Sequence, residues 1–311
     1  MRIGVAVAAC VLVGTGTAEA QQLSPEQAAL IEGDPAAAPQ RLELRDLPKA
    51  TGPADDLFNG RNLAGWLPWL GFADTSVTFR SNPGAEPLGT RADWRRIFSV
   101  EQVDGGPVIK AGGNYWGSLA STGDYGDFHL SLEYRWGAEE PGRARNNGVV
   151  YLSHGAPGAA FGTWMTGMEF QLEHGSNGMA IPMGRSMRAG ATIAQDRTVR
   201  YPFRVYRLGG RAIDLANVNP AYSVEHASDA EKPAGEWNRI DLYVVGNRAI
   251  HVVNGVPVMM LTDIAEIGPD GKRTPVTKGH IQLQAEGGVT YFRNIRIEPI
   301  KRLPRLVAVN P

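Results

Sequence analysis

The chain has 311 residues, 43% hydrophobic and 20% charged, with 38 Gly, 21 Pro and a single Cys. This composition excludes disorder, collagen and coiled coil, and the length suits one large or two ordinary domains. Lys and Arg total 31 against 32 Asp and Glu, a formal net charge of −1; no general attraction to phosphate backbones or anionic lipid follows, and nucleic acid is not an expected partner.

Residues 1–20 read as a secretory signal peptide. Met1-Arg2 supplies one positive charge, Ile3 to Val13 is a short apolar run, and Ala18-Glu19-Ala20 is an A-x-A cleavage site. Gly4, Gly14 and Gly16 dilute the uncharged stretch, which falls short of the ~20 apolar residues that span a bilayer. The expectation is an exported, periplasmic protein without stable membrane insertion. Val7-Ala8-Ala9-Cys10 loosely resembles a lipidation signal, the alternative fate of this segment. Cleavage after Ala20 leaves no cysteine, so stability must come from core burial and not from disulfides.

Residues 21–53 combine a short helix signal, Ser24-Pro25-Glu26, with Ala/Pro-rich sequence and read as a tail; 303–311 reads as a second tail. Between them, over 54–302, Gly, Asn, Asp and Pro recur every ten or so residues, and the intervening segments alternate apolar and polar at period two. That pattern predicts an all-β domain, a sandwich of antiparallel sheets.

Phe128 to Arg135 places Phe128, Leu130, Leu132 and Tyr134 on one face and His129, Ser131, Glu133 and Arg135 on the other. Met168 to Glu173 repeats the arrangement, with Glu169, Gln171 and Glu173 together on its polar face. Between about Ala180 and Asp229 the periodicity dissolves into Gly/Arg/Pro-rich sequence, which is either a functional loop or lid or a set of further strands. Ile240–Val245, Arg248–Val253 and Val256–Leu261 form a meander, because Gly246-Asn247 and Asn254-Gly255 supply the positive φ that two-residue hairpins require. His280 to Ala285 and Thr290 to Ile297 form a further hairpin-like pair around Glu286-Gly287-Gly288.

Walker-type loops, G-x-G-x-x-G before a helix, H-E-x-x-H and G-x-S-x-G are all missing, so the chemistry must sit on sheet faces. Glu169 and Glu173 stand roughly 13 Å apart at Cα, at ~3.4 Å per residue. Retaining glycoside hydrolysis wants carboxyl groups ~5 Å apart and inverting hydrolysis ~6.5–9.5 Å, so only the second is within reach; a plain solvated strand face fits the pattern equally well. Of six His, His251 sits mid-strand opposite Ile250 and Val252, and His174 follows Glu173. Either is a candidate base, acid or metal ligand, although no local spacing specifies a metal site. Arg135, Arg145 and Arg293 offer planar guanidinium groups to a carboxylate or sugar hydroxyls. Trp66, Trp69, Trp116, Trp136 and Trp164 offer faces to sugar rings, and some must belong to the core.

Together these motifs resemble a bacterial domain family described as 3-keto-disaccharide (3-keto-glycoside) hydrolases or lyases. The resemblance runs from Leu57-Phe58-Asn59-Gly60-Arg61-Asn62-Leu63-Ala64-Gly65-Trp66 through Tyr125-Gly126-Asp127-Phe128, Arg145-Asn146-Asn147-Gly148-Val149 and Gly167-Met168-Glu169-Phe170-Gln171. It continues through Asp229 to Asn238, Gly246 to Gly255, Gly279 to Gly288 and Phe292 to Ile297. Glu286 stands where the family commonly has His, and Asn147 where it has Ser.

The resemblance implies a concanavalin A-like jelly-roll β-sandwich acting on a sugar already oxidised at C3. A C3 ketone acidifies the C2 proton, so one modest base and one stabiliser of the enolate suffice to expel the C1 substituent. On that basis Glu169 and His251 are the expected catalytic pair. Arg135, Glu133, Asn146, Gln171, Gln284 and Glu286 are expected to bind the 3-keto-glycoside substrate. A divalent metal ion is implied as a cofactor, with Glu173 and His174 as candidate ligands. Two other readings stay open: a lectin-like carbohydrate-binding module without chemistry, and a direct glycoside hydrolase acting on unoxidised sugar.

Overall fold

The computed structural model describes Pro25 and residues 32–80, 84–218 and 221–309. The expected signal peptide, Cys10 and all of the helix signal except Pro25, which is helical, lie outside them. From residue 32 onward the described residues form strands and two short 3-10 turns, Thr75–Val77 and Trp94–Arg96. No helix among them is long and apolar enough to cross a membrane.

The expected β-sandwich is present as two antiparallel sheets packed face to face. The smaller has six strands in the spatial order Ala180–Met183, Thr166–Glu173, Asn146–His154, His280–Ala285, Gly117–Ser121 and Trp66–Leu70. The larger has twelve, with Phe128–Trp136 between Asn238–Val245 and Thr290–Pro299. Period-two alternation decides what each strand buries: Phe128, Leu130, Leu132 and Tyr134 point inward from the large sheet. Met168, Phe170, Leu172, Ile281 and Leu283 meet them from the small one.

The meander occurs as Asn238–Val245, Arg248–Val253 and Val256–Ile267. Its turns carry positive φ at Gly246 (57°), Asn254 (48°) and Gly255 (81°). The stretch after Ala180 resolves into strands Ala180–Met183, Met187–Gln195, Arg204–Tyr206 and Arg211–Ala216, so the extra-strand alternative is the one observed.

Two expectations are corrected. His280–Ala285 and Thr290–Pro299 do not pair, because they belong to different sheets. Gly287 and Gly288 instead carry the chain from one layer to the other, and a Cβ on Gly287 would collide with the backbone of Ala144 and Asn146. Nor are the ends loose tails: Arg41–Arg45 pairs with Arg305–Val309 in a two-stranded sheet. Leu44, Leu303 and Leu306 of this terminal region pack over Tyr243, Ile250 and Val252 on the outer side of the large sheet.

Candidate active site

The candidate functional face is the outer side of the six-stranded sheet. Antiparallel register sets Glu173 beside Asn146, Gln171 beside Gly148, and Glu169 beside Val150. Gln282 flanks Val150 from the other side, and Gln284 lies two residues further along its strand. Half of this face is capped: Val150 is covered by Ala160, Trp164 and Met183, and the Met165 backbone N–H donates to Gln282 Oε1 at 3.1 Å.

The other half is a polar floor around Gly148. A Cβ there would strike Glu169 Oε1 and Gln284 Oε1, so the missing side chain is what lets these two groups face each other across the strand. Glu169 is only 3% exposed and Gln284 is fully buried. Glu169 Oε1 and Gln171 Oε1 are buried without a hydrogen-bond partner, and the Gln284 amide beside them interacts, among the described residues, only with Glu169. Buried polar groups left unpaired are costly, and a cluster of them on one floor is the signature of a site shaped for something else.

The electrostatics agree. Burial, and then the charge of Glu286, push the Glu169 carboxyl well above the usual carboxylate range; the Gln284 amide pulls it back and Glu173 adds to the rise. Burial, reinforced by Glu173, raises Glu286 from 4.5 to about 8. Glu173 itself is held by Arg200 Nη1 at 2.8 Å and by Gln171 Nε2, which donates to it at 3.0 Å. Arg200 also reaches Glu225 through Nε at 2.9 Å and donates to Ser176 Oγ at 2.6 Å. Burial raises Glu225 to about 7 although Arg200 opposes the shift. Glu286 thus keeps a proton into the neutral range, and Glu169 is shifted in the same direction, an arrangement suited to acid–base work near pH 7.

Glu286 is positioned by Asn147, whose buried side chain accepts from the Glu286 backbone N–H at 2.6 Å and donates to Gly288 O at 3.0 Å. With Asn146 and Gly287 it forms one side of a cavity of about 290 Å³ whose other sides are Thr75, Asn114, Trp116 and Arg143.

Of the expected site residues, Glu169, Gln171, Glu173, Asn146, Gln284 and Glu286 gather here. His251 does not. It points into the sandwich, fully buried, with Nε2 2.9 Å from Tyr151 Oη, Nδ1 3.0 Å from Gly178 O and its ring stacked on Phe170 at 4.3 Å. Phe170 projects from the opposite side of its strand to Glu169, so a layer of backbone separates His251 from the floor. Burial lowers His251 from 6.5 to about 4, which fits a neutral core ring. Glu133 and Arg135 lie on the large sheet's outer face, bonded to Arg293 at 2.6 Å and Asp104 at 2.8 Å.

The expected metal ligands also part company: Glu173 is turned to Arg200, while exposed His174 bonds Glu231 at 2.8 Å. This pair does not fit a metal, and no group of three or more His, Cys, Asp or Glu among the described residues is arranged to hold one. Arg200, Glu225 and the turn held by Asn147 were missed by sequence reasoning. Arg200 and Glu225 fall in the aperiodic stretch, and a long-range ion pair leaves no local signal.

The sequence model of the 3-keto-alpha-glucoside-1,2-lyase-like domain matches residues 53–298. Among solved structures, a Parabacteroides distasonis protein provisionally named a glycosyl hydrolase is 19% identical, covering 80% of this chain and 100% of its own, with a TM-score of 0.45. A Bacillus subtilis protein with a galectin-like fold is 12% identical over 82% of this chain and 99% of its own, TM-score 0.41. The carbohydrate-binding module CBM66 of Bacillus subtilis is 11% identical over 65% and 91%, TM-score 0.37. No curated protein matches the chain significantly. With the family signature spanning the whole sandwich, the chain belongs to the 3-keto-alpha-glucoside-1,2-lyase-like domain family.

Proposed function

We propose that the protein cleaves 3-keto-glycosides by removing the C2 proton and eliminating the C1 substituent. The observation that carries this reading is the pair of carboxyls with raised pKa, buried Glu169 and half-buried Glu286, on one floor beside the buried Gln284 amide. Glu169 in its ionised form, a stronger base for its raised pKa, takes the C2 proton. The electron pair passes onto the C3 oxygen as an enolate, which the N–H groups of the buried Gln284 amide, facing Glu169 across Gly148, stabilise.

Collapse of the enolate forms the C1=C2 bond and breaks the bond from C1 to the leaving oxygen, which receives the proton held by Glu286. Water adding at C1, with return of a proton to C2, completes net hydrolysis. Glu173, fixed by Arg200 and Gln171, holds the negative field that keeps Glu286 protonated, and Asn146 binds hydroxyl groups from the rim. Proton transfer by positioned side chains of this kind contributes about 10²–10⁴ in rate.

The test is leaving-group release from a 3-keto-glucoside and from the parent glucoside. Release from the keto substrate alone supports elimination; release from the parent at a similar rate supports direct hydrolysis; sugar binding without release from either supports a lectin-like module.

A further inference from the structure

Beside the carboxylate floor stands a cluster of four aromatic rings contributed by separate parts of the chain. Phe79, just past the turn Thr75–Val77, contacts Trp116 at 5.9 Å, Phe161 at 5.2 Å and Trp164 at 5.9 Å between centroids. Trp116 and Trp164 lie 6.0 Å apart. Trp164 is fully buried over Val150, whereas Phe79 is 58% exposed. The cluster therefore runs from the capped half of the sheet outward to solvent. Trp116 belongs to two neighbourhoods, since it also lines the 290 Å³ cavity together with Glu286 and Asn146. At the cavity's polar end Arg143 is held by Asn114 Oδ1 at 2.8 Å and by the Gly113 carbonyl.

A glycoside whose C2 and C1 sit at the carboxyls must project its leaving group somewhere, and this cavity begins at Glu286, the group assigned to protonate the leaving oxygen. We propose that Trp116 and Phe79 form a leaving-group subsite that accepts a ring with a flat apolar face, an aryl group or a second pyranose, beside the Arg143 guanidinium. Aromatic faces bind such rings through dispersion and edge contacts that a methyl group cannot supply. The inference rests on the elimination reading and adds a specificity determinant to it.

The experiment compares kcat/KM for phenyl, glucosyl and methyl 3-ketoglucosides in the wild-type protein, Phe79→Ala, Trp116→Ala and Trp116→Phe, with thermal melts to confirm folding. The wild type prefers the ring-bearing substrates. Phe79→Ala and Trp116→Ala reduce that preference about tenfold, in line with the worth of an aromatic contact, and Trp116→Phe retains most of it. Loss of preference for the phenyl substrate alone identifies an aryl subsite, and for the glucosyl substrate alone a sugar subsite. An unchanged preference in folded Phe79→Ala and Trp116→Ala overturns the proposal. If the wild type cleaves no keto substrate, the elimination reading falls. Calorimetric titration with unoxidised phenyl and methyl glucosides then tests the wall by itself: Phe79→Ala must weaken phenyl binding more than methyl binding, and equal weakening overturns it.

Discussion

Both sheets of the sandwich turn a charged face outward, but the two faces treat carboxylates in opposite ways. On the large sheet several meet a guanidinium: Glu133 with Arg293, Asp104 with Arg135, Asp241 with Arg239. Burial pushes Asp241 up, yet the hydrogen bonds from Arg239 and His129 outweigh it and hold the group below the usual carboxylate range. On the small sheet Glu169 and Glu286 have no such partner, and both rise. Paired charge belongs to a surface in equilibrium with water; under the proposed function, the uncompensated carboxyls of the small sheet are where a substrate completes the electrostatics.

The sharpest way to break this contrast is Glu169→Gln. We expect kcat to fall about 10³-fold while the melting temperature holds or rises, because the amide removes a buried carboxyl. Next is Glu286→Gln, with an expected loss of about 10²-fold. Its pH–rate profile loses the decline above about pH 8 that deprotonation of Glu286 imposes. Gly148→Ala drives a methyl group against Glu169 and Gln284; displacing them should cost about tenfold in kcat/KM, since small misplacements of reacting groups are felt strongly.

His251→Ala sharpens the comparison from the other side of the same strand. It removes the contacts to Tyr151, Gly178 and Phe170 and should cost about 2–4 kcal/mol in a denaturant titration, with turnover per folded molecule retained. The pH dependence of stability carries a sign for each group. His251 is depressed from 6.5 to about 4, so the folded state binds fewer protons there and loses stability as pH falls through that window. Glu225 and Glu286 rise from 4.5 to about 7 and about 8, so the folded state binds more protons and loses stability as pH climbs through those windows. His251→Ala should flatten the acid slope and Glu286→Gln the alkaline one. The smallest effect belongs to Arg135→Ala, which should change turnover by less than about twofold and stability by under about 1 kcal/mol.

Period-two alternation made the Glu169, Gln171 and Glu173 face legible without a structure, whereas Gln284 and Glu286 were named only through the family resemblance. It failed where a strand is covered on both sides. Ile250 and Val252 look like the core face of their strand, which would turn His251 outward. They instead pack beneath the terminal strands with Leu44 and Leu306, and His251 faces the interior. The sequence predicts those terminal strands only as tails, so nothing local announced a second apolar layer. Arg135 was correctly turned outward, but alternation does not say which of two sheets a strand joins. The Arg200 link between Glu173 and Glu225 depends on a contact between segments of different strands, which neither propensity nor spacing encodes.

The central claim is that Glu169 breaks the C2–H bond of a 3-keto sugar. The direct measurement is the rate of leaving-group release from a 3-keto-glucoside carrying deuterium or hydrogen at C2, in the wild-type protein and in Glu169→Gln. The account predicts slower release from the deuterated substrate in the wild type and near-complete loss of release in the variant. Equal rates for both isotopes, together with a Glu169→Gln protein that still turns over at the wild-type rate, would contradict it.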